Sequence, residues 1–325
     1  TWSLVGAMAV AAGLLLPRRL ATLARYRYTW ALSALVLVLT ATLAGTEAAE
    51  GGPRLWLRLG GLSFQPSELL KLVLVIFLAG YLEDKQDHLA RATWRLGPLR
   101  LLPWPQLAPL VLVLGASLGL LAAQRDLGAA LLIFGTGLAM LYAASYRFGY
   151  VLAGMLVFAV GARQLYQYLP VVRTRLAIWL DPWADPQGAG YQIIQALMAL
   201  GGGGVFGSGL GLGQPTVIPA VHTDFVFAAL AEELGLAGAA SVLLIYGLIA
   251  LRGLRTALRA TGFAALLATG VTMALANQAL LIMAGVLRAL PLTGITLPFL
   301  SHGGTSLVTS AYLLGLLLRC PEPDR

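Results

Sequence analysis

The sequence predicts an all-α polytopic membrane protein, and three observations carry that prediction. Hydrophobic residues make up 58% of the 325 residues and charged ones only 11%, where a soluble domain carries about 25% charge. Mean hydropathy is +0.81. Apolar runs recur at 1–16, 30–45, 67–82, 107–123, 127–144, 148–167, 225–250, 263–286 and 303–318. A span needs ~20 apolar residues, with ~17 a practical minimum, so about nine spans are expected and several borrow flanking residues. The net charge of +8 then marks cytoplasmic loops and lipid headgroups, not a nucleic-acid partner. The single cysteine, Cys320, excludes an internal disulfide and a cysteine-rich metal site.

Taken in order, the loops set the orientation through their Arg/Lys bias. Arg18, Arg19, Arg25 and Arg27 place the first loop in the cytoplasm. Lys85, Arg91, Arg95 and Arg100 do the same for 83–106, as Arg252, Arg255 and Arg259 do for 251–262. Alternation then puts 46–66, the turn at Arg125-Asp126, the whole of 168–224, and 287–302 outside. The scheme holds only if 190–204 does not cross fully. That segment, apolar at Ile193, Ile194, Leu197, Met198 and Leu200 but polar at Gln192 and Gln195, reads as an amphipathic or re-entrant helix. Thr1 falls outside with no span before it, which leads us to expect a leading helix upstream of this sequence. Residues 1–325 read as one integral membrane domain, with 168–224 a large extracytoplasmic loop within it.

Candidate functional residues gather at the outer ends of the spans. Gly188 to Gly235 holds a glycine-rich run, then His222-Thr223-Asp224, then Glu232-Glu233, all between apolar segments. A charge at the centre of a span costs roughly 2.5–3.5 kcal/mol on insertion scales, so a carboxylate held at the edge of one points to function by default. Asp224 has two readings from its pattern: a cap for the helix that follows, or a catalytic carboxylate. The glycines at 207, 209, 211 and 213 permit positive φ. They fit neither a Walker loop nor a dinucleotide site, though a nest of backbone amides around a diphosphate is open to them. His222-Thr223-Asp224 lacks any zinc spacing.

Four further motifs complete the set. In Phe64-Gln65-Pro66-Ser67-Glu68-Leu69-Leu70-Lys71, Pro66 suits a helix start. Glu68 and Lys71 share a helical face as i,i+3 neighbours, either as an internal ion pair or as a charged wall of the outward cavity. Gln124-Arg125-Asp126 forms a tight turn in which Asp126 either caps the next helix or orients a cation. Asp181-Pro182 and Asp185-Pro186 read as turns. The broken loop 291–306, Pro- and Gly-rich with Ser301 and Ser306, reads as ordered backbone lining a cavity.

Together, FQPSELLKL (64–72), the QxDLG turn (124–128), DPWADPQGAGYQIIQA (181–196), HTDFVFAALAEELG (222–235) and PLTGITLPFLSHGGTS (291–306) resemble the SEDS family (shape, elongation, division and sporulation). That family comprises RodA, FtsW and SpoVE, and AEELG rather than GEELG inclines the likeness toward the RodA branch. The sequence departs from the family pattern at Ser63, Arg125, Thr296 and His302. The resemblance implies ten spans, of which this sequence carries all but the first. It implies a bacterial inner-membrane peptidoglycan glycosyltransferase, active on the extracytoplasmic face, that polymerises lipid II with a class B penicillin-binding protein as partner. Asp224 matches the family's essential aspartate and is assigned the catalytic base. Glu68, Lys71, Gln124, Asp126, His222, Thr223, Ser301 and Ser306 are assigned to substrate binding or orientation. A divalent cation (Mg or Mn) is an expected cofactor for the diphosphate leaving group. Two other classes stand beside this reading: a lipid II flippase, which a broken helix with central charges also suits, and a non-catalytic scaffold that activates the transpeptidase.

Overall fold

The computed structural model describes residues 2–15, 20–47, 54–59, 62–90, 94–96, 99–101 and 104–320. Arg18, Arg19 and Arg91, used above for orientation, lie outside the described residues. The chain is mostly helical. Each predicted apolar run coincides with a helix: α1 (Trp2–Leu15), α3 (Arg27–Ala44), α4 (Pro66–Ala90), α5 (Trp104–Ala123), α6 (Leu127–Ser145), α7 (Phe148–Tyr168), α10 (Val226–Arg259), α11 (Gly262–Val286) and α12 (Gly304–Arg319). Three more helices, α2 (Leu20–Arg25), α8 (Pro170–Leu180) and α9 (Tyr191–Gly202), lie between them. Among the described residues, six of these helices are long and apolar enough to cross a membrane: α3, α5, α6, α7, α10 and α11. The shorter apolar helices are α1 and α12, while α4 carries Glu68 and Lys71 in its first two turns.

The purely helical expectation is amended by short antiparallel strands. β1 (Thr46–Glu47), β2 (Arg54–Leu59) and β3 (Leu62–Phe64) pair in that order, with Leu57 opposite Phe64. β4 (Trp94–Leu96) pairs with β5 (Leu99–Leu101). These loops pair their backbones as strands because an unpaired polar backbone group away from water is costly.

Helix ends follow the local chemistry. Asp126 caps α6, accepting from the Ala129 amide at 3.1 Å. Pro170 opens α8, where its missing N–H costs nothing. The start of α11 is capped from a distance: Glu83 Oε1 accepts from the Phe263 amide at 2.8 Å.

The residues fall into two compact units. One comprises 1–158, 250–275 and 304–325; the other comprises 159–249 and 276–303. Within the second unit, Phe225 and Phe227 are fully buried among Ile193, Tyr246, Ile282 and Leu297. Tight packing of that kind fixes side-chain positions to within narrow limits, and it holds the backbone on either side of residue 224.

Candidate active site

In the second unit the segment before α10 is a tight turn. Ala220 adopts a left-handed φ of 56°, and its carbonyl accepts from the Thr223 and Asp224 amides at 3.1 and 3.0 Å. This turn is pinned from the other loop of the unit. Ser301 Oγ donates to the Thr223 carbonyl and accepts from the Leu297 amide at 2.8 Å, and the His302 amide donates to the His222 carbonyl at 2.7 Å. Gln278, buried in α11, donates to the Thr296 carbonyl at 2.8 Å, and the Tyr246 hydroxyl donates to that of Pro298. The 291–303 loop is thus ordered by protein hydrogen bonds, as its composition predicted. Ser301 holds the aspartate's turn, while the His222 side chain is exposed.

The cap reading of Asp224 finds no support. Among the described residues its carboxylate takes no amide from the first turn of α10; the Ala228 and Ala229 amides turn to the Phe225 carbonyl instead. The carboxylate instead faces an open cavity of about 180 Å³. Arg175, Trp179, Gln192, Ile193 and Arg288 share that wall. Burial raises the Asp224 pKa above the ordinary carboxylate value, while a Thr223 hydrogen bond and the Arg175 charge pull it part of the way back. The Thr223 hydroxyl also lies 3.1 Å from the Ala220 carbonyl, and its one proton serves one acceptor at a time. Gly294, at φ 69°, brings backbone up to this point. A Cβ there would lie 3.6 Å from both Asp224 Oδ2 and Arg175 Nη2. That space is kept clear between a carboxylate and a guanidinium.

Arg175 and Arg288 escaped the sequence reading. The signal that marks them is their location: both fall in segments assigned to the outside, where the charge bias gives an arginine no topological reason to be. Arg175 sits on α8 and donates to the Thr293 carbonyl at 3.0 Å.

The glycine run has a structural task. Its backbone docks on α10, which is broken at Gly235 (φ 67°). The Ser208 and Gly209 amides donate to the Glu232 and Glu233 carbonyls, both at 3.0 Å, and the Leu236 and Ala237 amides donate to the Gly204 and Val205 carbonyls at 2.9 and 3.2 Å. Glu232 Oε1 adds a bond from the Gln214 amide at 3.0 Å. Two of the amides that a diphosphate nest would use are therefore engaged by the helix itself. Gly207 is indispensable to the fit, since a Cβ there would lie 2.1 Å from the Glu233 carbonyl oxygen.

The remaining predicted residues belong to the first unit. Glu68 Oε2 accepts from Lys71 Nζ at 2.6 Å and from Thr309 Oγ1 at 3.0 Å. Lys71 is 4% exposed and Glu68 13%, so the pair links α4 to α12 inside the unit. Buried Ser306 sits in the same turn of α12, its carbonyl 3.1 Å from Thr309 Oγ1. Buried Gln124 donates to the Val38 and Arg54 carbonyls at 3.3 and 3.5 Å, tying α3 to β2. Asp126 serves as the cap already described.

Comparison with known proteins adds the context. The cell cycle protein model FtsW/RodA/SpoVE matches residues 1–324. The chain is 41% identical to the peptidoglycan glycosyltransferase RodA of Mycobacterium tuberculosis, over 100% of this chain and 70% of the relative. It is 39% identical to the probable peptidoglycan glycosyltransferase FtsW of a Geobacter species, over 87% of this chain and 74% of the relative. Among solved structures, a chain of a peptidoglycan synthase complex studied for the coordination of polymerization and crosslinking superposes with a TM-score of 0.78 at 30% identity, covering 98% of this chain and 86% of its own. The rod shape determining protein RodA of Thermus thermophilus gives a TM-score of 0.65 at 26% identity, with 99% and 88% covered.

Proposed function

The chain belongs to the FtsW/RodA/SpoVE family of cell cycle proteins, and from that premise we propose that Asp224 is the base of a polymerase that joins lipid II units into glycan strands. The protein is an integral membrane peptidoglycan glycosyltransferase. The observation that carries the site assignment is a carboxylate of raised pKa facing an open cavity beside Arg175 and Arg288.

The chemistry suits these groups. The 4-hydroxyl of an acceptor GlcNAc attacks the anomeric carbon of the donor MurNAc. A new C–O bond forms, the bond to the diphosphate oxygen breaks with inversion, and the hydroxyl proton passes to Asp224. General-base assistance contributes typically 10²–10⁴-fold. Burial lifts the basicity of Asp224 toward the working pH, which strengthens it as a proton acceptor. Undecaprenyl diphosphate leaves as an anion, and Arg175, on the cavity wall, stabilises the charge that develops there. One carboxylate therefore suffices, where glycosidases use a pair.

A divalent cation, Mg or Mn, fits this site only in a shared form. Among the described residues no three His, Cys, Asp or Glu side chains cluster to hold a metal. Magnesium sites commonly combine one or two carboxylates with substrate phosphates, and Asp224 supplies one such oxygen donor. The ion would neutralise the leaving diphosphate.

We further assign the nine helices that match the apolar runs as spans in the bacterial inner membrane, residues 1–325 as one membrane domain, and the 168–224 segment and Asp224 to the extracytoplasmic face. That is where polymerisation takes place. Glu68, Lys71, Gln124, Asp126, His222, Thr223, Ser301 and Ser306 are assigned to substrate binding or orientation, and for Thr223 and Ser301 the hydrogen bond that pins the turn before Asp224 supports this. The partner is a class B penicillin-binding protein, and the solved relative from a peptidoglycan synthase complex supports that pairing.

The test is a reconstituted assay with the cognate transpeptidase, lipid II and a divalent cation. Wild type yields glycan chains, and Asp224→Asn yields about 10²–10⁴-fold fewer per unit time while remaining folded. Equal rates in the two proteins would remove Asp224 from the chemistry.

A further inference from the structure

Arg288 stands apart from the rest of the turn that follows α11. It holds φ at 58° just past the end of α11, where its amide donates to the Gly285 carbonyl at 3.1 Å and the Ala289 amide to the Ala284 carbonyl at 2.8 Å, the left-handed close common at helix ends. From that position it makes a reciprocal set of hydrogen bonds with the end of α8. Arg288 Nε donates to the Trp179 carbonyl at 2.8 Å and Nη2 to the Leu180 carbonyl at 2.5 Å, while the Trp179 indole N–H donates back to the Arg288 carbonyl at 3.1 Å. The guanidinium thus closes the C-terminus of α8, where orphan carbonyls and the negative end of the helix dipole favour a cation.

Arg175 rides on the same short helix, about one turn back from Trp179. An eleven-residue helix is marginal by itself, so its position depends on what holds its ends. None of its described side chains is fully buried, though Ile178 packs against the core of the unit. We propose that Arg288 is a positioning residue: its lock on Trp179 and Leu180 fixes α8 so that Arg175 stays on the cavity wall beside Asp224. The inference rests on the assignment of that cavity as the active site. It gives a purpose to an arginine at a helix-closing position that glycine most often fills.

The experiment is a double-mutant cycle in the lipid II polymerisation assay, with Arg288→Gly, Arg175→Ala and the double variant, together with melting temperatures. If Arg288 acts through Arg175, Arg288→Gly lowers kcat by about 10-fold in the wild-type background and by less than about 2-fold when Arg175 is already alanine, the non-additivity expected of residues that act as a unit. Equal fold-losses in both backgrounds overturn the proposal and leave Arg288 as a general structural bond. Hydrogen exchange supplies a readout that needs no substrate. The Asp181 amide, which closes α8 on the Ala177 carbonyl, exchanges about 10-fold faster in Arg288→Gly as the last turn opens. Unchanged exchange there overturns the lock whatever the enzyme's activity. A wild type that forms no glycan from lipid II, with exchange altered as expected, would instead sink the active-site reading and spare the lock. Because glycine suits this helix-closing backbone, the melting temperature of Arg288→Gly stays close to wild type, and Arg288→Lys, which keeps a cation able to reach the same carbonyls, recovers part of the lost rate.

Discussion

Two carboxylates, one in each unit, show opposite ways of placing an acid near hydrocarbon. Glu68 is satisfied on the spot: Lys71 is one turn away on the same helix, and Thr309 closes the site from α12. Asp224 is held by its backbone, and its carboxylate is left facing a cavity that Arg175 also lines. The first arrangement engages the carboxylate with donors inside its own unit. The second leaves it facing open space. Satisfied acids stabilise a fold, and under-satisfied ones, paid for by a rigid frame, do chemistry.

Substitution separates the two. Asp224→Asn removes the base, and glycan synthesis falls by about 10²–10⁴-fold, yet the fold is expected to hold or gain stability because a buried charge is relieved. Lys71→Met does the reverse kind of damage. It strands the Glu68 carboxylate and costs about 3–5 kcal/mol, as breaking one side of a buried ion pair does. Replacing Glu68 by Gln in the same protein recovers most of that loss, and thermal melts of the single and double variants check the sign. Should the single variant melt like wild type, the two carboxylates are not as different as their contacts indicate.

A pH series sharpens the contrast. Burial raises the Asp224 pKa, so the folded state holds its proton more tightly than the unfolded chain does. The stability contributed by this group is present at low pH and is lost as pH rises from the ordinary carboxylate value to the raised one. Catalytic activity moves the other way, growing as Asp224 loses its proton through the raised value. Arg175→Gln removes the charge that pulls the pKa down, and the acidic limb of kcat/KM shifts to higher pH; a limb that stays in place would show that Arg175 does not act on the base. The smallest effect belongs to Asp126, whose contact with the Ala129 amide is a helix cap. Asp126→Ala lowers stability by about 1 kcal/mol and changes the polymerisation rate little once the protein is folded.

How far the sequence could be read follows from the range of each interaction. The nine apolar runs became helices because hydropathy is a local property. The Glu68–Lys71 pair was visible at its i,i+3 spacing, but Thr309, the third member, lies 241 residues from Glu68 and carries no local mark. Asp224 stood out as a charge at the mouth of an apolar run, though its cap alternative could be dismissed only once the α10 amides had been located. Arg175 and Arg288 were hidden for a different reason. An arginine in a loop is ordinarily a solvated or topological residue, and only the folding of α8 against the turn after α11 gives these two a purpose. The glycines at 207, 209 and 211 declared their positive φ, but not that the surface pressing on them would be the backbone of α10.

That last contact bears on how the protein is made. The break at Gly235 leaves the Leu236 and Ala237 amides without helical partners inside a long apolar helix, and the carbonyls that receive them belong to Gly204 and Val205. Those residues leave the ribosome some thirty positions earlier. In lipid, unmet backbone groups cost several kcal/mol each, so α10 cannot settle in the bilayer until the glycine segment has come back to meet it. Insertion of this helix and docking of the segment before it are one event, and the nascent chain must wait with both in hand.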